Sequence, residues 1–141
     1  MFGMIHTDFL IVTYLVALFV DWVFQSDYDA RNKSKWGRED KKLRSLFALI
    51  NHSNAYAGIT SILVTFILGF RVKQAVIMYI VLFITHAIID TRIPVKAIMR
   101  LKGMSKEQIN DHVNFGFMHI GIDHRLHELV ILILSIVFAC I

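Results

Sequence analysis

The apolar residues of this 141-residue chain come in long blocks, and its charged residues crowd between them. Few folds accept that distribution. A soluble helix or strand alternates polar and apolar residues along its length, because one face meets water. Blocks of roughly 20 apolar residues are what the hydrocarbon thickness of a bilayer asks of a helix. Composition agrees: 18% of the chain is charged and 56% hydrophobic, where an ordinary soluble domain carries about 25% charged residues. The single Cys140 excludes an internal disulfide framework and reads as a small lipid-facing residue. The expected fold class is therefore all-α. It is an integral membrane bundle of four transmembrane helices, with a short interfacial helix before the last, in one domain over residues 1–141.

The spans are expected at about residues 5–25, 46–70, 75–91 and 120–141. The first has the core "FLIVTYLVALFV". No Lys or Arg precedes it and no small-x-small site follows, so it reads as a retained anchor rather than a cleaved signal peptide. Pro94 is expected to stop the third span. Beyond it, "VKAIMRLK" alternates apolar and basic positions with helical period, is too short to cross, and should lie on the membrane surface. Gly103 can end that helix. Ser105, with Gln108 three residues later, has the form of a capping box opening another short helix.

Lys and Arg set the orientation. The connection over residues 26–45 holds Arg31, Lys33, Lys35, Arg38, Lys41, Lys42 and Arg44, and that over residues 92–119 holds Arg92, Lys96, Arg100, Lys102 and Lys106. The turn between the second and third spans has only Arg71 and Lys73. Both long connections should be cytoplasmic and both termini non-cytoplasmic. The net charge of +4 then belongs to anionic headgroups. Membrane lipid is the expected partner and homo-oligomer formation is left open. Nucleic acid is not expected, because no basic stretch is interleaved with aromatics that would stack on bases. Trp22 and Trp36 sit where tryptophan favours the interface.

Ionisable groups inside a lipid-exposed span are costly and need a partner or a purpose. Asp21 and Gln25 close the first span, His52 opens the second, His86 and Asp90 close the third, and Asp123 and His127 open the fourth. In antiparallel spans all of these fall at the cytoplasmic end. Asp21/Gln25, His86/Asp90 and Asp123/His127 share a four-residue spacing, which stacks two side chains on one helix face. Histidine with carboxylate suits a divalent metal, zinc first, with manganese or iron as alternatives. Such pairs on facing helices are how bundles build metal centres. The expected ligands are His52, His86, Asp90, Asp123 and His127, with Asp21 nearby, for one ion or two. Any one of these residues alone is better explained by snorkelling or by hydrogen bonds between helices. The shared depth and spacing turn the set toward metal. His6, His112 and His124 are read as plain interface or surface residues, and His119 as a ligand or a supporting partner.

In order along the chain, "DWVFQSDYDARNKSK", "NHSNAYAG", "THAIID" and "IDHRLHEL" resemble the blocks of a family of small phage and bacterial integral membrane proteins of unknown function. The family is distantly similar to predicted membrane-bound metal-dependent hydrolases. The resemblance spans nearly the whole chain and carries over Asp21, Gln25, His52, His86, Asp90, Asp123 and His127. His124 stands where glutamine is usual. It implies a bacterial inner membrane as the location.

The function expected is a metal-dependent hydrolase near the cytoplasmic headgroup layer, acting on a lipid or lipid-linked phosphoester. Asp21 or Asp123 would serve as general base. Gln25, Arg92 and Arg125 would contact substrate, although the two arginines have headgroup contact as a simpler explanation. The alternative is a non-catalytic membrane protein with a structural metal site or ion pathway, for example one that modifies a phage host's envelope or excludes superinfection. A di-iron lipid oxidase would want denser histidine clusters than this chain has.

Overall fold

The computed structural model describes residues 7–33, 42–111 and 114–139. His6, Lys35, Trp36, Arg38, Lys41, His112 and Cys140 lie outside them. The chain forms α1 (Thr7–Val23), α2 (Asp27–Asn32), α3 (Lys42–Leu68), α4 (Val72–Asp90), α5 (Ile93–Leu101), α6 (Lys106–Asn110) and α7 (Gly116–Phe138), and no strand occurs among the described residues.

The four long helices form a ring, with α1 against α3, α3 against α4, α4 against α7, and α7 back against α1. A tight turn joins α3 to α4. Gly69 takes a left-handed φ of 67° there, a conformation that costs a residue with a side chain about 1–2 kcal/mol. His52 and His86 are equidistant in sequence from this glycine, so the hairpin brings them to one level. Toward the turn, Phe9 is completely buried and stacks on Phe138 and Phe70, with ring centroids 4.7 and 5.7 Å apart. Met78, Leu82, Val64 and Leu134 complete that core. Phe9→Ala should destabilise the protein by about 3 kcal/mol through the cavity it leaves. Thermal unfolding in detergent would check this.

The helix boundaries correct the sequence expectations in four places. First, α1 ends at Val23, so Gln25 lies past the helix rather than in its last turn. Second, the connection over residues 26–45, expected as a loop, contains α2, which packs on α3. Third, Pro94 does not stop α4. Arg92 does so by adopting a left-handed φ of 61°, and Pro94 sits in the first turn of α5, where its missing N–H costs nothing. Fourth, the described residues contain one helix, Val72–Asp90, that is long and apolar enough to cross a membrane on length and composition alone. The described part of α1 is 17 residues long. α3 begins at Lys42 and Arg44, and α7 carries Asp123, Arg125 and Glu128, which lowers the apolarity of both.

α5 and α6 pack against α7 through Val95, Met99 and Ile109, over Met118, Ile122 and Leu126. Gly103 terminates α5 with a φ of 81°. The capping box is present: Ser105 Oγ accepts the Gln108 N–H and Gln108 Oε1 accepts the Ser105 N–H. The Glu107 carboxyl is held below its usual pKa by its own backbone N–H and by the Ser105 hydroxyl, 2.8 Å away.

Polarity is distributed inside out. Thr13, Ser45, Ser53, Thr60, Ser135, His52, His86, Asp90 and His119 are buried. Val72, Val76, Ile80, Ile84 and Ile88 form an exposed stripe along α4, and only 22% of that helix's most apolar stretch is covered by the rest of the fold. Phe66 on α3 is 85% exposed. Exposed apolar surface of this extent marks contact with a membrane or a partner.

Candidate metal centre

His52 projects from α3 and His86 from α4, and the two Nε2 atoms lie 3.0 Å apart. Around His52 Nε2 three further groups converge: Asp21 Oδ1 at 3.1 Å, Gln25 Nε2 at 3.2 Å and Asp90 Oδ2 at 3.5 Å. His86 Nε2 is 3.2 Å from Asp90 Oδ2 and 3.9 Å from Asp21 Oδ1. An imidazole nitrogen carries either one proton or one lone pair. One proton cannot serve four close neighbours. The same spacings are natural for ligands around one ion, since metal–nitrogen bonds of about 2.0–2.1 Å put neighbouring ligand atoms roughly 2.9–3.4 Å apart. Both histidines and Asp90 are almost fully buried, and Asp21 is partly open.

The donors fall into two triads that share His86. Asp21, His52 and His86 form one, and His86, Asp90 and His127 the other, with the ligand atoms of each within 4.8 Å of one another. His127 Nδ1 donates to the Asp123 main-chain carbonyl at 2.9 Å, an acceptor that fixes the tautomer. The Asp123 carboxylate belongs to neither triad, and its Oδ1 is buried.

Two residues outside the expected set complete the centre. Tyr56, one turn after His52, stacks on the His86 ring with centroids 3.8 Å apart and planes 18° apart. It holds that ring's orientation from the apolar side. Its signal was present in "NHSNAYAG", as a four-residue spacing from His52. Lys33 follows α2 and places its Nζ 2.9 Å from Asp90 Oδ2, with its side chain 12% exposed. In sequence Lys33 reads as one more loop cation, because nothing local shows that α2 folds back over α3.

A cavity of about 300 Å³ opens beside the donors, lined by Asp21, Gln25, Lys33, Arg92, Asp123 and His124 among others. Three acids, Asp21, Asp27 and Asp123, and two cations, Lys33 and Arg92, line it, so charges of both signs face the ligand cluster. The left-handed backbone at Arg92 lies at the bend where α5 leaves α4, next to this cavity. Arg125 is not brought in. It pairs with Glu128 and lines a separate groove between α5 and α7 with Lys102, Phe117 and Gly121. His124 lines the cavity near Trp22 but joins neither triad. His119 is buried with its Nε2–H donated to the Ile109 carbonyl at 2.8 Å, a tie between α7 and α6.

No curated protein and no solved structure matches this chain. The model of a family described as protein of unknown function (DUF3307) matches residues 9–140, nearly the whole chain, together with every donor of both triads. The chain belongs to the DUF3307 family.

Proposed function

We propose that this protein is a metal-dependent hydrolase embedded in the bacterial inner membrane, working at the cytoplasmic headgroup layer on a lipid or lipid-linked phosphoester. In this reading α1, α3, α4 and α7 all cross the bilayer. The exposed apolar faces of the ring and its buried polar interior support that. The polar residues that lower the apolarity of α7 include Asp123 and His127, which turn inward, where lipid does not meet them. The basic residues Lys33 and Arg92 lie beside the histidine cluster, as part of a cytoplasmic rim would.

One observation carries the chemistry. Four polar groups crowd around His52 Nε2, beside a cavity that holds both acids and cations. Asp21, His52, His86 and Asp90 would hold the ion. When bound, a divalent cation supplies Lewis acidity and makes water nucleophilic near neutral pH. Lys33 and Arg92 would hold the phosphate oxygens in the cavity. Asp123, or Asp21 where it stands free of the ion, would take the proton of the attacking water, since both line that cavity. Gln25, within reach of His52, would orient the ligand shell or the substrate.

The test is hydrolysis of lipid phosphoesters by purified protein in mixed micelles. Metal-loaded wild type should turn over, and a chelator should abolish it. Asp123→Asn or Asp21→Asn should lower kcat by about 10²–10⁴-fold. Arg92→Gly should raise KM while leaving the fold intact, since glycine accepts a left-handed φ. A folded, metal-loaded protein with no turnover on any phosphoester would overturn the enzyme. The structural-site reading would then take its place. It has its own support in Tyr56 and Lys33, which close two sides of the centre.

A further inference from the structure

Resting on the reading that Asp21, His52 and His86 bind a divalent cation, we infer that the centre takes a second one at the other triad, held by His127 and Asp90 beside the shared His86. The first ion leaves a set of donors without employment. His127 Nδ1 faces a carbonyl, which can only accept, so the ring proton is on Nδ1 and Nε2 presents a bare lone pair. That Nε2 is buried and has no hydrogen-bond partner. Asp123 Oδ1 is also buried and also without one. A lone pair and a carboxylate oxygen, both acceptors, cannot satisfy each other. Each asks for a donor or a cation. A histidine whose far nitrogen donates to a main-chain carbonyl while its near nitrogen is left bare is arranged as metal ligands are.

The position of this corner suits an ion as well. The His127 ring centroid is 4.4 Å from that of His86, and His86, Asp90 and His127 bring ligand atoms within 4.8 Å of one another. Asp90 lies between the two triads in chemistry. Its Oδ2 is near both His86 and His52, which makes this carboxylate the natural bridge. Asp123 also lines the 300 Å³ cavity with Lys33 and Arg92, so an ion beside it would face whatever enters there. Two cations about 3.5–4 Å apart form a clamp suited to the oxygens of an in-line phosphoryl displacement. Such a clamp fits the phosphoester of the proposed function.

A bridging water is the competing occupant of this corner, and stoichiometry separates the two. Full-length protein in detergent would be stripped with chelator, equilibrated with Zn²⁺, desalted and assayed by elemental analysis. Wild type should hold two zinc ions per chain. His127→Gln should hold one, with circular dichroism unchanged. Loaded with Mn²⁺ instead, wild type should give the exchange-coupled electron paramagnetic resonance spectrum of an ion pair. His127→Gln should give an isolated-ion spectrum. One zinc per wild-type chain, unchanged in His127→Gln, would overturn the second site and leave the first standing. Two zinc ions in both wild type and His127→Gln would place the extra ion elsewhere and overturn the inference. No zinc in wild type would remove the first site too.

Discussion

His86→Ala should empty the centre. His86 is the ring common to both triads, and its Nε2 lies within 3.9 Å of His52, Asp90 and Asp21 donors. Losing a direct ligand should weaken cation binding by at least about 100-fold, the upper range for removing even an outer partner. Metal content after desalting should fall to background. The consequence for stability follows from linkage. A ligand present at about 1,000 times its Kd adds about 4 kcal/mol to the folded state. For a chain of this length that is roughly 10 °C in thermal midpoint. Wild type should therefore melt about 10 °C lower in chelator. His86→Ala should melt low in both conditions and ignore the chelator. Tyr56→Ala gives a graded control, because it frees the His86 ring without removing a donor. Wild type whose midpoint is indifferent to chelator and to added Zn²⁺ would end the metal reading.

Lys33→Met should separate the role of Lys33 from that of the ion. Lys33 Nζ and the proposed cation both compensate Asp90, which is 2% exposed. Removing one partner of a buried pair leaves an uncompensated charge and costs about 3–5 kcal/mol. The chelated protein should suffer that loss in full. With the cation bound, Asp90 keeps a counter-charge, and the loss should be smaller. Linkage is reciprocal, so whatever destabilisation the cation removes must appear as tighter cation binding to the variant. A difference of about 1.4 kcal/mol between the two losses means a tenfold lower Kd. Zn²⁺ titration with thermal melts on both proteins would measure this. Equal destabilisation with and without metal would show that Lys33 and the ion do not share Asp90, and would move the site away from it.

Much of the centre could be read from residue type and spacing. Asp21, His52, His86, Asp90, Asp123 and His127 are expected at one level; all but Asp123 join one of two triads that share His86, and Asp123 lines the cavity beside them. The reason is periodicity. In antiparallel helices joined by short turns, distance from the turn fixes depth, and residues spaced by four share a face. His52 and His86 obey this simply, being equally far from Gly69. Gln25 shows where the rule fails: its neighbour Asp21 is on α1, but the helix stops at Val23, so Gln25 reaches His52 from a turn. The capping box at Ser105 and the break at Gly103 were legible because their signals are local.

What the amino-acid sequence determined by itself is the helical character of the chain and the shared level of its polar residues along the helices, because each depends on neighbours within a turn or two. What only the tertiary structure decided is which groups close around them. Lys33 reaches Asp90 because α2 folds over α3, Tyr56 meets His86 because α3 and α4 pack face to face, and Arg125 is lost to the site because its side of α7 faces α5. Those contacts join residues far apart in the chain. Their cost is the conformational entropy of ordering distant segments, and only the packing of the whole ring offsets it.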